Sequence, residues 1–193
     1  MASLSRRVPL PIFLLVILIL FSACGQSKGY SPNYSGGGAA SKIKYKIFVT
    51  TRNDLSGALL GTAGADLYCN ADAQAGNDTY KALISVTSRQ APSADWPLKA
   101  NTTYYRIDGT TEIGTTTAGA IFSGTLTNSV NASNSTVWTG LSSGFIGNNE
   151  CSGFTSTVGT AHTGQSDQTS VASMISNGTS NCTSTLSLYC VQQ

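Results

Sequence analysis

The chain has 193 residues, of which 11 are Lys or Arg, 9 are Asp or Glu and one is His. The small positive balance belongs to the N-terminus: setting aside Arg6, Arg7, Lys28, Lys42 and Lys44 leaves six basic residues against nine acidic ones, which excludes the basic stripe that nucleic acid or a heparin-like polyanion requires. A single imidazole excludes a histidine-rich metal site by count.

Residues 1–23 place Arg6-Arg7 before an apolar run from Ile12 to Phe21 and the small residues Ser22 and Ala23, the order of a secretory signal peptide. Ten apolar residues span roughly 15 Å as a helix, half of a ~30 Å hydrocarbon core, which argues against a membrane-spanning segment. Pro9 and Pro11 sit badly in a helix interior as well. The cysteine that follows, in Ile19-Leu20-Phe21-Ser22-Ala23-Cys24, resembles the lipobox of bacterial lipoproteins. In that family the thiol receives a diacylglycerol and becomes the mature N-terminus. The resemblance implies lipidation at Cys24, a membrane partner through that lipid, and a place in the bacterial envelope. Gly25 stands where an aspartate would hold some lipoproteins in an inner membrane, so the outer membrane is the expected location. Residues 24–43 then carry the lipidated cysteine and a tether, QSKGYSPNYSGGGAAS over 26–41, with a reach of roughly 20–25 Å for a Ser/Gly-rich coil.

Residues 44–193 are long enough for one domain with one core. Lys44–Thr51 (KYKIFVTT) reads as a strand from its β-branched and aromatic content. Gly64–Ala75 (GADLYCNADAQA) reads as a helix, with Ala65, Tyr68 and Cys69 on one face and Gly76 at its stop. Tyr80–Thr87, Thr103–Ile107, Val137–Leu141 and Leu186–Val191 read as further strands, separated by long Ser/Thr/Asn/Gly-rich segments. Cys69, Cys151, Cys182 and Cys190 make an even set in an exported chain, which predicts two disulfides with three possible connectivities. Neither a CxxC pair nor companion histidines accompany them, which argues against zinc.

A cysteine on the first helix, the Trp138-Thr139-Gly140-Leu141 strand and a closing Cys182…Leu188-Tyr189-Cys190 resemble the C-type-lectin-like fold. Ala65-Asp66, Thr79–Ala82, Val137–Gly140, Cys151–Phe154, Thr163–Gln165 and Cys182–Cys190 follow the order seen in the endostatin domain of collagens, and the set also resembles a group of bacterial lipoproteins of uncharacterised function. The resemblance covers most of residues 44–193. It implies a loop-rich α+β fold with nested bridges, Cys69 to Cys190 and Cys151 to Cys182. The calcium-site signatures of sugar-binding lectins, Glu-Pro-Asn and Trp-Asn-Asp, are missing here.

Asp108 and Glu112 flank the Gly109 turn and could hold a cation, although a plain hairpin turn accounts for them. His162 lies in a Gly/Thr stretch and reads as an exposed loop residue. The acids are scattered, and no nucleophile-and-base or paired-carboxylate arrangement stands out. Trp96 and Trp138 read as core aromatics. Phe145, Ile146 and Phe154, in otherwise polar loops, are the candidates with His162 for an exposed contact, and Ser152–Asn181 reads as a polar loop surface. The expectation is a non-catalytic, calcium-independent recognition domain for a protein or glycan ligand, without cofactor or metal. A structural envelope lipoprotein is the alternative. Nothing in the sequence indicates an oligomeric state.

Overall fold

The computed structural model describes residues 43–147 and 150–193. The expected signal peptide over 1–23, the expected lipidation site Cys24 and the expected tether up to residue 42 lie outside the described residues, as do positions 148 and 149.

The last strand organises the fold. The run Ser-Leu-Tyr-Cys-Val-Gln has no polar alternation because both of its faces are covered, as in a strand buried inside a layered domain. It forms Ser187–Gln192 and lies in the middle of a sheet. In chain order the elements are β1 (Tyr45–Val49), α1 (Gly61–Ala71), β2 (Tyr80–Ala82), β3 (Thr103–Tyr105), β4 (Glu112–Thr115), β5 (Thr136–Trp138), α2 (Cys151–Phe154), β6 (Thr160–Gln165), α3 (Val171–Ile175), β7 (Gly178–Asn181) and β8, the last strand. The sheet order is β4-β3-β1-β8-β5-β6-β7. β1 runs antiparallel to one edge of β8, with Phe48 opposite Cys190. The other edge of β8 takes β5 in parallel at Ser187 and Leu188, then β2 antiparallel at Cys190 to Gln192. Among the described residues the domain is therefore mixed α/β and mostly sheet, and it holds two disulfides, Cys69–Cys190 and Cys151–Cys182.

The period-2 alternation of β8 divides the core. Tyr189 and Val191 join Ile47, Tyr104, Ile113 and Phe122 on one face. Leu188 and Cys190 join Phe48, Tyr80, Trp138 and Phe154 beneath α1 on the other. Cys69, on the buried side of α1 with Gly64 and Ala65, bonds to Cys190 across 121 residues of sequence. This clamps the first helix to the last strand. Trp96 and Trp138 are core residues, each spending its indole N–H on a buried carbonyl, Ala120 O and Leu55 O, both at 2.7 Å.

Beyond the shorter β3 and β5 and the unanticipated β4, three differences from the sequence reading have a clear physical cause. α1 begins three residues before Gly64 and stops at Ala71 rather than Ala75. Asp72 turns extended there because its carboxylate accepts the Thr51 N–H at 2.6 Å, the Thr51 hydroxyl at 2.9 Å and the Gln74 N–H at 3.0 Å. The expected strand Tyr80–Thr87 pairs only over Tyr80–Ala82, after which Leu83 and Ser85 donate separately to Tyr189 O and Thr139 O. The segment Ser152–Asn181 is not a loop but contains β6, α3 and β7. Its threonines suit a pleated, half-buried surface, and Ala161, Thr163 and Gly164 are the buried residues of β6. Gly164 has no room for a side chain: a Cβ there would lie 1.8 Å from the Met174 carbonyl oxygen of α3.

Candidate functional site

Of the residues singled out by sequence, His162 comes closest to a chemical group, through a pairing with Glu150 that the sequence did not reveal. His162 is not an exposed loop residue but a half-buried member of β6, opposite Thr179 of β7. Its backbone N–H and its Nδ1 both engage the Glu150 carboxylate, which sits directly before Cys151 and its bridge. Among the described residues Glu150 is the side chain that hydrogen-bonds the imidazole, so the pair works as a clip between β6 and the loop ahead of α2.

Phe145 and Phe154 do not offer an exposed contact. Phe145 is 5% exposed and meets Trp96 edge-on at 6.2 Å; Phe154 is 0% exposed and meets Trp138 edge-on at 6.2 Å. Their polar neighbours in sequence concealed backbone that turns back on itself, with φ of 60° at Phe145 and 59° at Phe154. In α2 the whole stretch Cys151, Ser152, Gly153 and Phe154 has positive φ, a left-handed turn that L-residues adopt only when packing or a crosslink imposes it. Here the bridge to Cys182 and the burial of Phe154 supply both. Ile146 remains 66% exposed beside them.

Asp108 is taken up by its own turn. Its Oδ1 accepts the N–H groups of Thr110 at 2.6 Å and Thr111 at 2.7 Å, and both threonine hydroxyls bond to the carboxylate. Those donors hold its carboxyl well below the usual range. Glu112 lies in β4. The hairpin accounts for both acids.

Sequence reasoning passed over an ionic cluster around Arg89. This guanidinium is 2% exposed; it donates twice to Asp66 of α1 and once to Asp95, each at 2.7 Å, and Asp95 also receives Lys81 at 2.7 Å. Burial opposes the charge on Arg89, but the bonds from Asp66 and Asp95 outweigh it and hold the guanidinium firmly protonated. Only three-dimensional proximity reveals this cluster, since Asp66, Lys81, Arg89 and Asp95 fall into no motif spacing. It fixes the 83–98 segment to α1, with the Asp66 Oδ1 also accepting the Ala82 N–H at 2.8 Å.

Two clefts lie toward opposite ends of β1. The first, of about 480 Å³, opens where the described chain begins, between Ile43–Tyr45 and the Asn101–Tyr105 stretch. The second, of about 230 Å³, is formed where β1 has ended and β5 and β8 begin. Asn53, Asn134, Ser135, Thr136, Thr185, Leu186 and Ser187 line it. Apart from the half-buried Leu186 its lining is neutral amide and hydroxyl, with the exposed Arg52–Asp54 pair just outside. Among the described residues the side chains of Asn53 and Thr185 hydrogen-bond to no other group, whereas Asn134 accepts from Gln165 and Ser187 donates to Arg52 O at 3.1 Å. This distal cleft thus combines polar groups held by protein hydrogen bonds with solvent-facing ones that are not.

These features define a disulfide-bonded, mostly sheet α/β domain carrying polar surface clefts. Residues 52–172, more than half of the chain, match the family described as protein of unknown function DUF1554, and the chain belongs to that family. The matched stretch holds one cysteine of each bridge, Cys69 and Cys151. No curated protein matches the chain.

Proposed function

We propose that the protein is an exported lipoprotein, anchored in a bacterial envelope through Cys24, whose domain is a non-catalytic recognition module of C-type-lectin-like, endostatin-like architecture. Its ligand is a hydroxyl- and amide-rich surface, a glycan or a polar protein segment, held in the distal cleft without calcium. The observation that carries this reading is the distal cleft itself. Small sites of this kind gain orientation from a few well-placed neutral donors and acceptors on a rigid scaffold. Segments after β1 and before β5 and β8 supply them here, and the bridges through Cys182 and Cys190 brace the β8 segment. The bridges also suit an oxidising compartment outside the cytoplasm. The order of helix cysteine, Trp-x-Gly-Leu strand and closing cysteine pair supports the architecture; a shared fold leaves the ligand to be argued from the cleft.

The test is a glycan and matrix-protein array probed with the oxidised protein, with and without calcium. The reading expects a ligand retained in chelator and lost on Asn53→Ala together with Thr185→Val. Silence across the array would instead favour a structural envelope role. Binding that survives both substitutions would remove the distal cleft from the account.

A further inference from the structure

We infer that the cleft at the opposite end, between Ile43–Tyr45 and Asn101–Tyr105, is a docking face for a bilayer surface bearing anionic headgroups. Four described basic side chains are already neutralised, Lys46 by Asp78, Arg52 by Asp54, Lys81 by Asp95 and Arg89 by Asp66 and Asp95, and the His162 ring is engaged by Glu150. Arg106 spends its guanidinium on Ser129, donating to the carbonyl and the hydroxyl at 2.8 Å. Lys44 and Lys99 are left, without a carboxylate partner among the described residues; Lys44 lines this cleft, and Lys99 lies against Tyr45, which lines it too. The Lys44 ammonium lies 5.1 Å from the Tyr105 ring centroid and the Lys99 ammonium 4.9 Å from that of Tyr45. Asp108 is close by through Gly109, whose carbonyl accepts the Lys44 ammonium at 3.0 Å, but its carboxylate is turned inward onto Thr110 and Thr111.

The apolar component points the same way. Ile43 is 74% exposed at the rim, and Tyr45 and Tyr105 are half-exposed beside it. Tyrosine with lysine and an exposed aliphatic side chain is the composition that settles at a membrane–water boundary. This is also the end from which the chain continues toward Cys24. If Cys24 carries lipid, a point on which the inference rests together with the proposed function, fewer than 20 residues separate it from the cleft, a length whose root-mean-square reach as a coil is about 25 Å. At the effective concentration that a short tether imposes, a weak patch suffices to orient the domain. Two lysines near an anionic surface favour contact roughly 30-fold. Residues 44–193 carry seven basic against nine acidic residues, so attraction is confined to this face and the distal cleft is turned away from the bilayer.

The test is acetylation footprinting of the lipidated full-length protein on vesicles of neutral phosphatidylcholine and on vesicles with 30% phosphatidylglycerol. Docking predicts that Lys44 and Lys99 lose reactivity about tenfold on the anionic vesicles alone, that 0.5 M salt restores it, and that Lys44→Glu weakens the protection of Lys99, and Lys99→Glu that of Lys44, while each protein still sediments with both vesicles. Equal reactivity on the two compositions overturns the proposal. So does protection of both lysines by a free acidic saccharide with no vesicle present, which would assign the cleft to a small anion. If the chain fails to sediment with neutral vesicles, the anchor reading falls instead. Docking is then read as sedimentation with anionic vesicles that weakens in the Lys44→Glu, Lys99→Glu variant, and its absence overturns the inference.

Discussion

Replacing Arg89 by Met keeps most of the side-chain volume and removes four donated hydrogen bonds: two to Asp66, one to Asp95 and a longer one to Ala82 O at 3.3 Å. Asp95 retains Lys81 and water, since its side chain is 43% exposed. Asp66 is the group left exposed to the loss. Its carboxylate is largely buried and keeps only the Ala82 N–H. Removing one partner of a buried ion pair costs about 3–5 kcal/mol; partial access of water to Asp66 places the expected loss near the lower end, about 3 kcal/mol. With a urea m-value of about 2 kcal/mol/M, the unfolding midpoint of the oxidised protein should fall by about 1.5 M. The exposed Arg52–Asp54 pair provides the internal control: Arg52→Ala should move stability by less than about 1 kcal/mol. Arg89→Met combined with Asp66→Leu should cost clearly less than the two single changes together, because no unpaired charge remains. A loss below about 1 kcal/mol for Arg89→Met, or one equal to that of Arg52→Ala, would refute the reasoning that this cluster fixes α1 to the 83–98 segment.

Gly164→Ala should lower the melting temperature by several degrees, because its Cβ would meet the Met174 backbone oxygen at 1.8 Å, while Gly178→Ala, with nothing within 4 Å, should be near neutral in the same thermal scan. Loss of the Cys69–Cys190 bridge through paired serines should cost roughly 5 kcal/mol on chain entropy, and loss of Cys151–Cys182 roughly 3.5 kcal/mol less the strain of the left-handed turn it holds, so denaturation should rank the first variant as the less stable. For Asp95, burial pushes the carboxyl up, but the bonds from Arg89 and Lys81 outweigh it and set it below its ordinary value. The stability it lends is therefore present above about pH 4 and lost as pH falls further. Asp95→Asn should weaken the protein at pH 7 and flatten the acid limb of its stability–pH curve.

How much was legible in the sequence follows from where burial is two-sided. β1 and β8 read clearly because Ile47 to Val49 and Leu188 to Val191 are apolar without interruption, and both faces of these strands are indeed covered. α1 showed its buried face through Ala65 and Cys69, yet its ends were set by Asp72 and Thr51, a contact between distant segments. β6, α3 and β7 were hidden because Thr, Ser and Gly form strands there through neighbours rather than through their own hydrophobicity. The aromatic candidates failed for a related reason. Phe145 and Phe154 sit among glycines and serines whose positive backbone angles fold the rings inward, and local polarity says nothing about that. The distal cleft, like the Arg89 cluster, draws on residues from three separate stretches, and no spacing within any one of them marks it.

The account rests most heavily on where the mature chain starts and how its cysteines are used. Intact-mass and peptide mapping of the protein extracted from membranes under non-reducing conditions addresses both at once. The account predicts an N-terminal Cys24 bearing diacylglycerol, with Cys69 linked to Cys190 and Cys151 to Cys182. A polypeptide that keeps residues 1–23 or carries an unmodified Cys24 thiol would contradict the envelope anchor, and a Cys69–Cys151 peptide would contradict the clasp between the first helix and the last strand.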